Sequence, residues 1–237
     1  MGMSLFNQGK YADAQRIQRE VHEVQKRVLG AEHPDTLTTA NHLASSLLHL
    51  GKYADAQRIQ REVHEVRKRV LGAEHPDTLS SANNLAGFLF HQGKYAAAER
   101  IQREVHAVEK RVLGAEHPDT LWSANSLAMS LFDQGKYADA ERIQREVHAV
   151  QKRVLGAEHP NTLRSANHLA ASLSHLGKYA AAERIQREVH GAQKRVLGAE
   201  HPDTLTTAAN LAFSLTNQGN YVDAERIERE EIGRAHV

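Results

Sequence analysis

One segment of nine residues, Leu-Gly-Ala-Glu-His-Pro-Asp-Thr-Leu, recurs along the chain and restricts the folds that it can adopt. The copies begin 42 residues apart, at Leu29, Leu71, Leu113, Leu155 and Leu197, and the fourth copy differs only by Asn161. A period of about 20 to 50 residues is typical of an array of similar supersecondary units, each of which contacts its neighbours. The repeat therefore predicts a stacked array.

Apolar residues inside each 42-residue unit follow the period of a helix. Between residues 79 and 92 they lie one or three positions apart, which predicts an amphipathic helix that begins at Pro76 and ends at Gly93. A second helix is predicted to end at Gly114, and its apolar stripe consists of Tyr95, Ala98, Ile101, Val105, Val108, Val112 and Leu113. No segment shows strand alternation, so we expect an all-α solenoid of antiparallel helix pairs.

The period also predicts how the chain is divided. We expect a single array over residues 1–230, with a partial first unit at 1–29 and a partial last unit at 202–230. The complete units between them are predicted at about 34–72, 76–114, 118–156 and 160–198. Residues 231–237 depart from the repeat and are predicted to form an irregular tail, which is consistent with a cloning scar.

Composition excludes several classes of function. The chain has no cysteine, so disulfides, thiolate metal sites and cysteine nucleophiles are ruled out. Thirty basic and 29 acidic residues are too balanced to predict nucleic acid or an anionic membrane as a partner. The first residues lack the features of a signal peptide and no stretch approaches the roughly 20 apolar residues of a membrane span, so we expect a soluble cytoplasmic protein.

The sequence offers no signature of catalysis, cofactor binding or metal binding. Every Gly-Lys pair is followed by tyrosine, which excludes the phosphate-binding loop that ends in Lys-Ser or Lys-Thr. The pairs His42 with His49 and His168 with His175 share a helix face. They are separated by about 10.5 Å along the axis, too far apart to share one ion. We therefore predict that the protein is not an enzyme and has no cofactor or metal site.

Charged residues on the second helix also have a regular spacing. Glu99 precedes Arg103 by four residues, and Arg100 precedes Glu104 by four. Such pairs stabilise a helix surface by a few tenths of a kcal/mol, about 0.2 to 0.5. We expect them to lie on a solvated outer face because acids and bases alternate there.

Three motifs connect the repeat to a known family. The segments Ser81–Ala86, Gln92–Ala96 and Leu113–Pro118 resemble the 42-residue tetratricopeptide repeats of kinesin light chains, and the resemblance extends from Met3 to about Glu230. It implies a right-handed superhelix that acts as an interaction scaffold. It also implies that the exposed face of the first helices lines a concave groove for an extended peptide or protein segment.

Candidate binding residues come from that face of the first helix. At 100° per residue, Ser80, Asn84, Gly87 and His91 lie away from the buried stripe. The equivalent positions in other units hold Trp122, Met129 and Phe213. Large apolar side chains on a solvent face usually mark a contact surface, although exposed positions also vary freely in the absence of any function.

Polar residues on the same helices suggest how a ligand is held. Asparagines recur at one position, as Asn41, Asn83, Asn125 and Asn167. Their carboxamides suit the backbone of an extended ligand, as the resemblance also implies, but they suit hydrogen bonds between units equally well. Arg164 and Trp122 form a candidate pair, in which Arg164 holds a carboxylate of the ligand and the ring contacts an apolar side chain.

Two alternatives to peptide binding remain at this stage. The array is either a structural assembly, in which the uncovered terminal helices form a homodimer or stack head to tail, or a regular repeat with no ligand.

Overall fold

The computed structural model describes residues 2–232, and helices account for nearly all of them. The described residues contain no strand, and no helix among them is long and apolar enough to cross a membrane. Twelve α-helices and a final π-helix follow one another: α1 (Gly2–Asn7), α2 (Tyr11–Val28), α3 (Pro34–His49), α4 (Tyr53–Leu71), α5 (Pro76–His91), α6 (Tyr95–Val112), α7 (Pro118–Asp133), α8 (Tyr137–Leu155), α9 (Pro160–His175), α10 (Tyr179–Val196), α11 (Pro202–Asn217), α12 (Tyr221–Ile227) and the π-helix Glu228–Ile232. The irregular tail was predicted over residues 231–237; residues 231 and 232 end the π-helix, and residues 233–237 lie outside the described part.

The helices form two compact units, Met1–Ser123 and Ala124–Val237. In the first unit, α4 packs against α3 of its own pair and to a similar extent against α5 of the next pair. In the second unit, α10 packs in the same way against α9 and α11. Each of these second helices is therefore covered on two sides. The organisation of residues 1–230 as a single array stays a prediction.

The predicted stripe of the first helix forms the core. The buried residues of α5 include Leu79, Ala82, Leu85, Ala86 and Leu89. The core continues between pairs, because Phe88 of α5 is buried in one cluster with Leu43, Leu47 and Ala56 of the preceding pair. Successive pairs thus share one apolar interior within a unit.

The prediction that the apolar stripe continues to the end of the second helix was wrong at Val112. Val112 is 49% exposed, whereas Glu109 is only 3% exposed. An apolar position that recurs every seven residues drifts by about 20° per heptad, so Val112 has rotated away from the seam that Ala98 and Val105 define. Glu109 follows Ala98 by eleven residues, close to three full turns, and therefore points towards the seam.

Polar side chains of the second helices are buried to an extent that the sequence analysis did not predict. The buried glutamines at one repeated position are Gln18, Gln60, Gln102, Gln144 and Gln186. Glu99, predicted on a solvated face, is also buried, although Arg103 Nε does donate to its Oε1 at 2.8 Å. The physical reason is that a helix covered on two sides has a wider buried arc than the one-sided stripe assumed above.

The recurrent histidines have structural roles. In the loops, the Nδ1 atom of His75 accepts the backbone N–H of Asp77 at 3.2 Å and caps α5, and Pro76 occupies the first turn. The same cap recurs at His33, His117, His159 and His201. On the second helices, His64 Nδ1 lies 3.0 Å from the Ser81 hydroxyl of the next pair, and burial lowers the pKa of His64.

Glu109 is a buried acid at a position that varies between repeats. Its Oε1 accepts a hydrogen bond from Asn83 Nδ2 at 3.3 Å. Burial raises the pKa of its carboxyl group, the nearby Ser123 hydroxyl, which donates to the Thr120 backbone oxygen, opposes this, and the charge of Asp119 adds to it. The equivalent residue is glutamine in three other repeats, namely Gln25, Gln151 and Gln193.

The histidine cap can be tested by substitution. We expect His75→Ala to lower the free energy of unfolding by about 0.5 to 2 kcal/mol, because a backbone N–H of α5 loses its acceptor. His75→Asn supplies a side-chain oxygen at the same place and should retain most of the stability. Urea denaturation monitored by circular dichroism at pH 7.5 measures both variants. An equal loss in the alanine and asparagine variants would contradict the cap.

Stability should also depend on the charge of Glu109. Because burial raises the pKa of this group, its ionisation costs stability at neutral pH, and the cost disappears below the unfolded pKa of about 4.3. We expect Glu109→Gln to raise the free energy of unfolding by about 1 kcal/mol at pH 7.5 and to have little effect at pH 4. Urea denaturation at both values of pH provides the comparison.

Glu104→Gln is the matched control, because Glu104 is an exposed acid on the same helix. It should leave the unfolding midpoint unchanged at pH 7.5. A Glu109→Gln variant that is less stable than the parent at pH 7.5 would show that the buried charge is not a cost.

Candidate functional site

The exposed side of the first helices carries the residues that vary most between repeats. One position of the first helix is exposed in all five repeats, where it holds Thr38, Ser80, Trp122, Arg164 or Thr206. Met129 and Phe213 lie about two helical turns further along their helices and are also exposed. We call the surface formed by these residues the first-helix face. The face is described separately in each compact unit. This face stays exposed because the opposite side of each first helix is buried in the core.

Three large apolar side chains lie on this face. Trp122 is 50% exposed, Met129 is 40% exposed and Phe213 is 56% exposed. Their equivalents in other repeats include Ser80, Gly87 and Thr206, which are small or polar. Covering exposed apolar groups of this size with a partner lowers the free energy, because it removes apolar surface from water.

Some of the recurrent asparagines make hydrogen bonds between helices, which is one of the two roles considered for them. Asn167 Nδ2 donates to the Thr207 hydroxyl at 2.9 Å, which joins α9 to α11. Asn83 is buried and donates to Glu109. The Oδ1 atoms of Asn41 and Asn83 are buried without a hydrogen-bond partner in the described part of the chain. Asn125 is half-buried. Some of these amides thus connect helices, and some retain an acceptor atom without a partner in the described part.

Arg164 and Trp122 belong to different compact units, so their pairing stays a prediction. Within its own unit, Arg164 is exposed and its Nη2 donates to Asn161 Oδ1 at 3.0 Å. His91 is exposed at the end of α5, where its ring lies 5.9 Å from the ring of Phe90. Neither contact removes the polar atoms of these side chains from solvent.

A cavity of about 480 Å³ opens in the first unit among α5, α6 and the start of α7. We call it the acidic cavity. Aliphatic residues such as Leu79 and Val112 line it together with Asn83 and Trp122. Its charged lining consists of Glu74, Asp77, Glu109 and Asp119, and no basic residue is among the described residues that line it.

The second unit has a cavity of about 530 Å³ at the equivalent position, which we call the neutral cavity. The residues that line it lie 84 positions further along the chain, but their chemistry differs. Asn161 replaces Asp77, Arg164 replaces Ser80, Gln193 replaces Glu109 and Thr206 replaces Trp122. The same structural position therefore offers an acidic surface in one unit and a neutral to basic surface in the other.

Sequence reasoning missed Glu109 as a candidate residue. The signal was present, because the column of Gln25, Arg67, Glu109, Gln151 and Gln193 varies in charge on helices that otherwise repeat closely. Arg67 is also buried, and its Nη1 donates to the backbone oxygen of Asp77 at 3.1 Å. This position lies outside the apolar stripe and outside the charge pairs considered above, so its variation gave no prediction. In the described part of the chain, no group of three or more potential ligand side chains is placed to hold a metal.

Comparison with solved structures places the fold among helical repeats. Nearly identical TPR-like repeats ascribed to a kinesin light chain of Podosopora anserina share 27% identity, with a TM-score of 0.78 over 85% of this chain and 95% of that one. BtubC (BKLC) of P. vanneervenii shares 16% identity, with a TM-score of 0.77 over 97% of this chain and 89% of that one. A Rap protein complexed with Competence and Sporulation Factor shares 12% identity, with a TM-score of 0.63 over 98% of this chain and 72% of that one. The last two likenesses concern the fold alone.

Family profiles give the assignment. No curated protein matches the sequence. Two profiles, both described as tetratricopeptide repeat, match residues 1–35, 36–77 and 78–119 in one case and 123–194 and 164–233 in the other. Such repeats generally form non-enzymatic scaffolds for protein–protein interaction. The chain therefore belongs to the tetratricopeptide repeat family, as an all-α solenoid whose helix pairs are like those of kinesin light chains.

Proposed function

We propose that this chain is a non-enzymatic scaffold that binds an extended segment of a partner protein on its first-helix face. The observation that carries the proposal is the exposure of Trp122, Met129 and Phe213 on that face. Each replaces a small or polar residue of another repeat, and burial of such side chains supplies most of the free energy in protein recognition. The Rap protein, which has a similar fold, was solved in complex with Competence and Sporulation Factor, so a protein of this fold can hold a partner.

Cavities beside the apolar residues support an extended ligand. Trp122 lines the acidic cavity, and Met129 lines a separate cavity of about 200 Å³ with Phe132 and His168. Side chains of a bound segment would enter such cavities, and its backbone would reach the amides of the recurrent asparagines. Asn41 and Asn83 keep a buried acceptor for a backbone N–H, and we assign Asn125 and Asn167 to the same role.

Polar specificity is proposed to come from one exposed polar side chain in each unit. Arg164 lines the neutral cavity, where its guanidinium group would bind a carboxylate of the partner. His91 is exposed at the end of α5 and would donate or accept one further hydrogen bond. These roles make the partner a protein segment, with neither nucleic acid nor membrane in contact with the face.

The proposal predicts which substitutions weaken binding. Peptides selected from a random library against the intact protein should lose about tenfold in affinity, or about 1.4 kcal/mol, with Trp122→Thr, Met129→Ser, Phe213→Ala or Arg164→Glu. The first two place at each position a residue that another repeat carries there, Thr38 and Ser45 respectively, so the fold should persist. Isothermal titration calorimetry gives the affinities.

Val222→Ala is the matched control, because Val222 is 80% exposed on the second helix α12, lines neither cavity and is alanine at the equivalent position of other repeats. Its affinity should equal that of the parent. Selected peptides that bind all four face variants with unchanged affinity would show that the first-helix face is not the binding surface.

A second candidate function is association between copies of the chain. Val21 of α2 is exposed, whereas its equivalents Val63, Val105, Val147 and Val189 are buried. The short helix α1 packs over only part of α2, and this leaves an apolar strip that a second copy would cover. Light scattering over a hundredfold range of concentration distinguishes the two functions. A mass that rises with concentration, and that Val21→Lys abolishes, favours assembly, and a constant monomer mass rejects it.

A further inference from the structure

The acidic cavity has more negative charge than the protein itself compensates. Of its carboxylates, Glu74 is paired with Arg111, whose Nη2 lies 2.5 Å from Glu74 Oε1. Asp77 lies near the buried Arg67 guanidinium and 4.0 Å from a histidine of the preceding loop, whereas Asp119 has such a histidine as its nearby partner, at 3.7 Å. These histidines are charged only when protonated, so a cationic ligand would find an attractive field at neutral pH.

Two acceptor atoms at this cavity are buried and unsatisfied. Glu109 Oε2 and Asn83 Oδ1 have no hydrogen-bond partner in the described part of the chain, although both side chains are more than nine-tenths buried. A buried acceptor without a donor destabilises the folded chain, and a charged one more so. Both residues line the cavity, so a ligand that enters it can supply the missing donors.

The remaining lining selects the kind of donor. Trp122 contributes an aromatic ring, and Leu79 and Val112 contribute aliphatic surface. A guanidinium group suits this mixture better than an ammonium group. It is planar, stacks on an indole ring, presents five N–H donors and is less strongly hydrated.

We propose that the acidic cavity binds the guanidinium group of an arginine side chain, with Glu109 and Asn83 as acceptors and Trp122 as the stacking surface. The inference rests on the proposed function in one respect, since the arginine is taken to belong to the bound partner segment. The cavity thereby fixes which residue of the segment lies at the first unit. A binding surface of repeated units needs such a feature, because similar units would otherwise accept a segment in several registers.

The neutral cavity supports this assignment by contrast. It lacks the aromatic ring and the buried carboxylate, and Arg164 in its lining repels a second cation. Its Asn167 amide donates to Thr207, whereas the equivalent Asn83 donates to Glu109. The arginine is therefore expected to bind at the first unit and not at the second.

A small probe tests the cavity without a peptide. We would titrate N-acetyl-arginine amide into the full chain and follow the indole N–H resonance of Trp122, the only tryptophan in the sequence. We expect a saturable shift in the millimolar range. N-acetyl-lysine amide should bind at least threefold more weakly, and N-acetyl-glutamine amide should cause no saturable shift. Equal affinity for the lysine and arginine probes would contradict the guanidinium assignment.

Substitution of Glu109 identifies the acceptor. Glu109→Gln should lower the affinity for N-acetyl-arginine amide at least tenfold. The indole resonance of the free variant should stay close to that of the parent. The variant should fold, because Gln151 and Gln193 occupy the same position in other repeats. Glu104→Gln removes an exposed charge from the same helix and should leave the affinity unchanged. Absence of a saturable shift in the parent, or equal affinity in parent and Glu109→Gln, would overturn the inference.

The outcome is separable from that of the proposed function. An arginine probe that binds the parent, combined with a library that yields no peptide for the first-helix face, supports the cavity and rejects the extended-segment function. Selected peptides that bind the face equally well after their arginines are replaced by glutamine reject the cavity and support that function.

Discussion

Contact between successive helix pairs is the constraint on which the structure depends. Phe88 is buried among residues of the preceding pair, and α4 packs on both its own first helix and the next one. A single pair would leave most of this apolar surface in water. The hydrogen bonds from Gln60 and His64 to Ser81 cross the same boundary and fix how one pair sits on the next.

The same packing determines where the chain can carry function. Second helices such as α4 and α10 are covered on two sides, and the second helix α6 buries polar residues such as Gln102 and Glu99. First helices keep one side exposed, which makes that side free to differ between repeats. Some residues of the second helices line cavities beside the first helices. Where these residues differ between repeats, as with Glu109 and Gln193, the chemistry of the cavity changes and the fold does not. A regular scaffold can therefore hold binding positions that are individually distinct.

Most of the fold could be predicted from the sequence, and much of the site could not. The period, the prolines and the glycines fixed the helix pairs, and the angle around the first helix correctly identified Trp122, Met129 and Phe213 as exposed. Val112 was misplaced because a seven-residue spacing drifts away from the seam along the second helix. Glu99 was misplaced because its sequence pattern suggests a helix with one buried side, whereas the second helix is covered on two. Glu109 was missed for the same reason, and because a cavity among three helices depends on contacts that no single helix reveals.

The dependence of each pair on its neighbours can be measured directly by the helicity of shortened arrays. Circular dichroism would compare the pair Pro34–Leu71, which contains α3 and α4, with the two pairs Pro34–Val112, which contain α3 to α6. If stacking supplies the stability, the single pair is largely unfolded in water and the two pairs unfold cooperatively, with a urea midpoint below that of the whole chain. A single pair that is fully helical and unfolds at the midpoint of the whole chain would contradict the account.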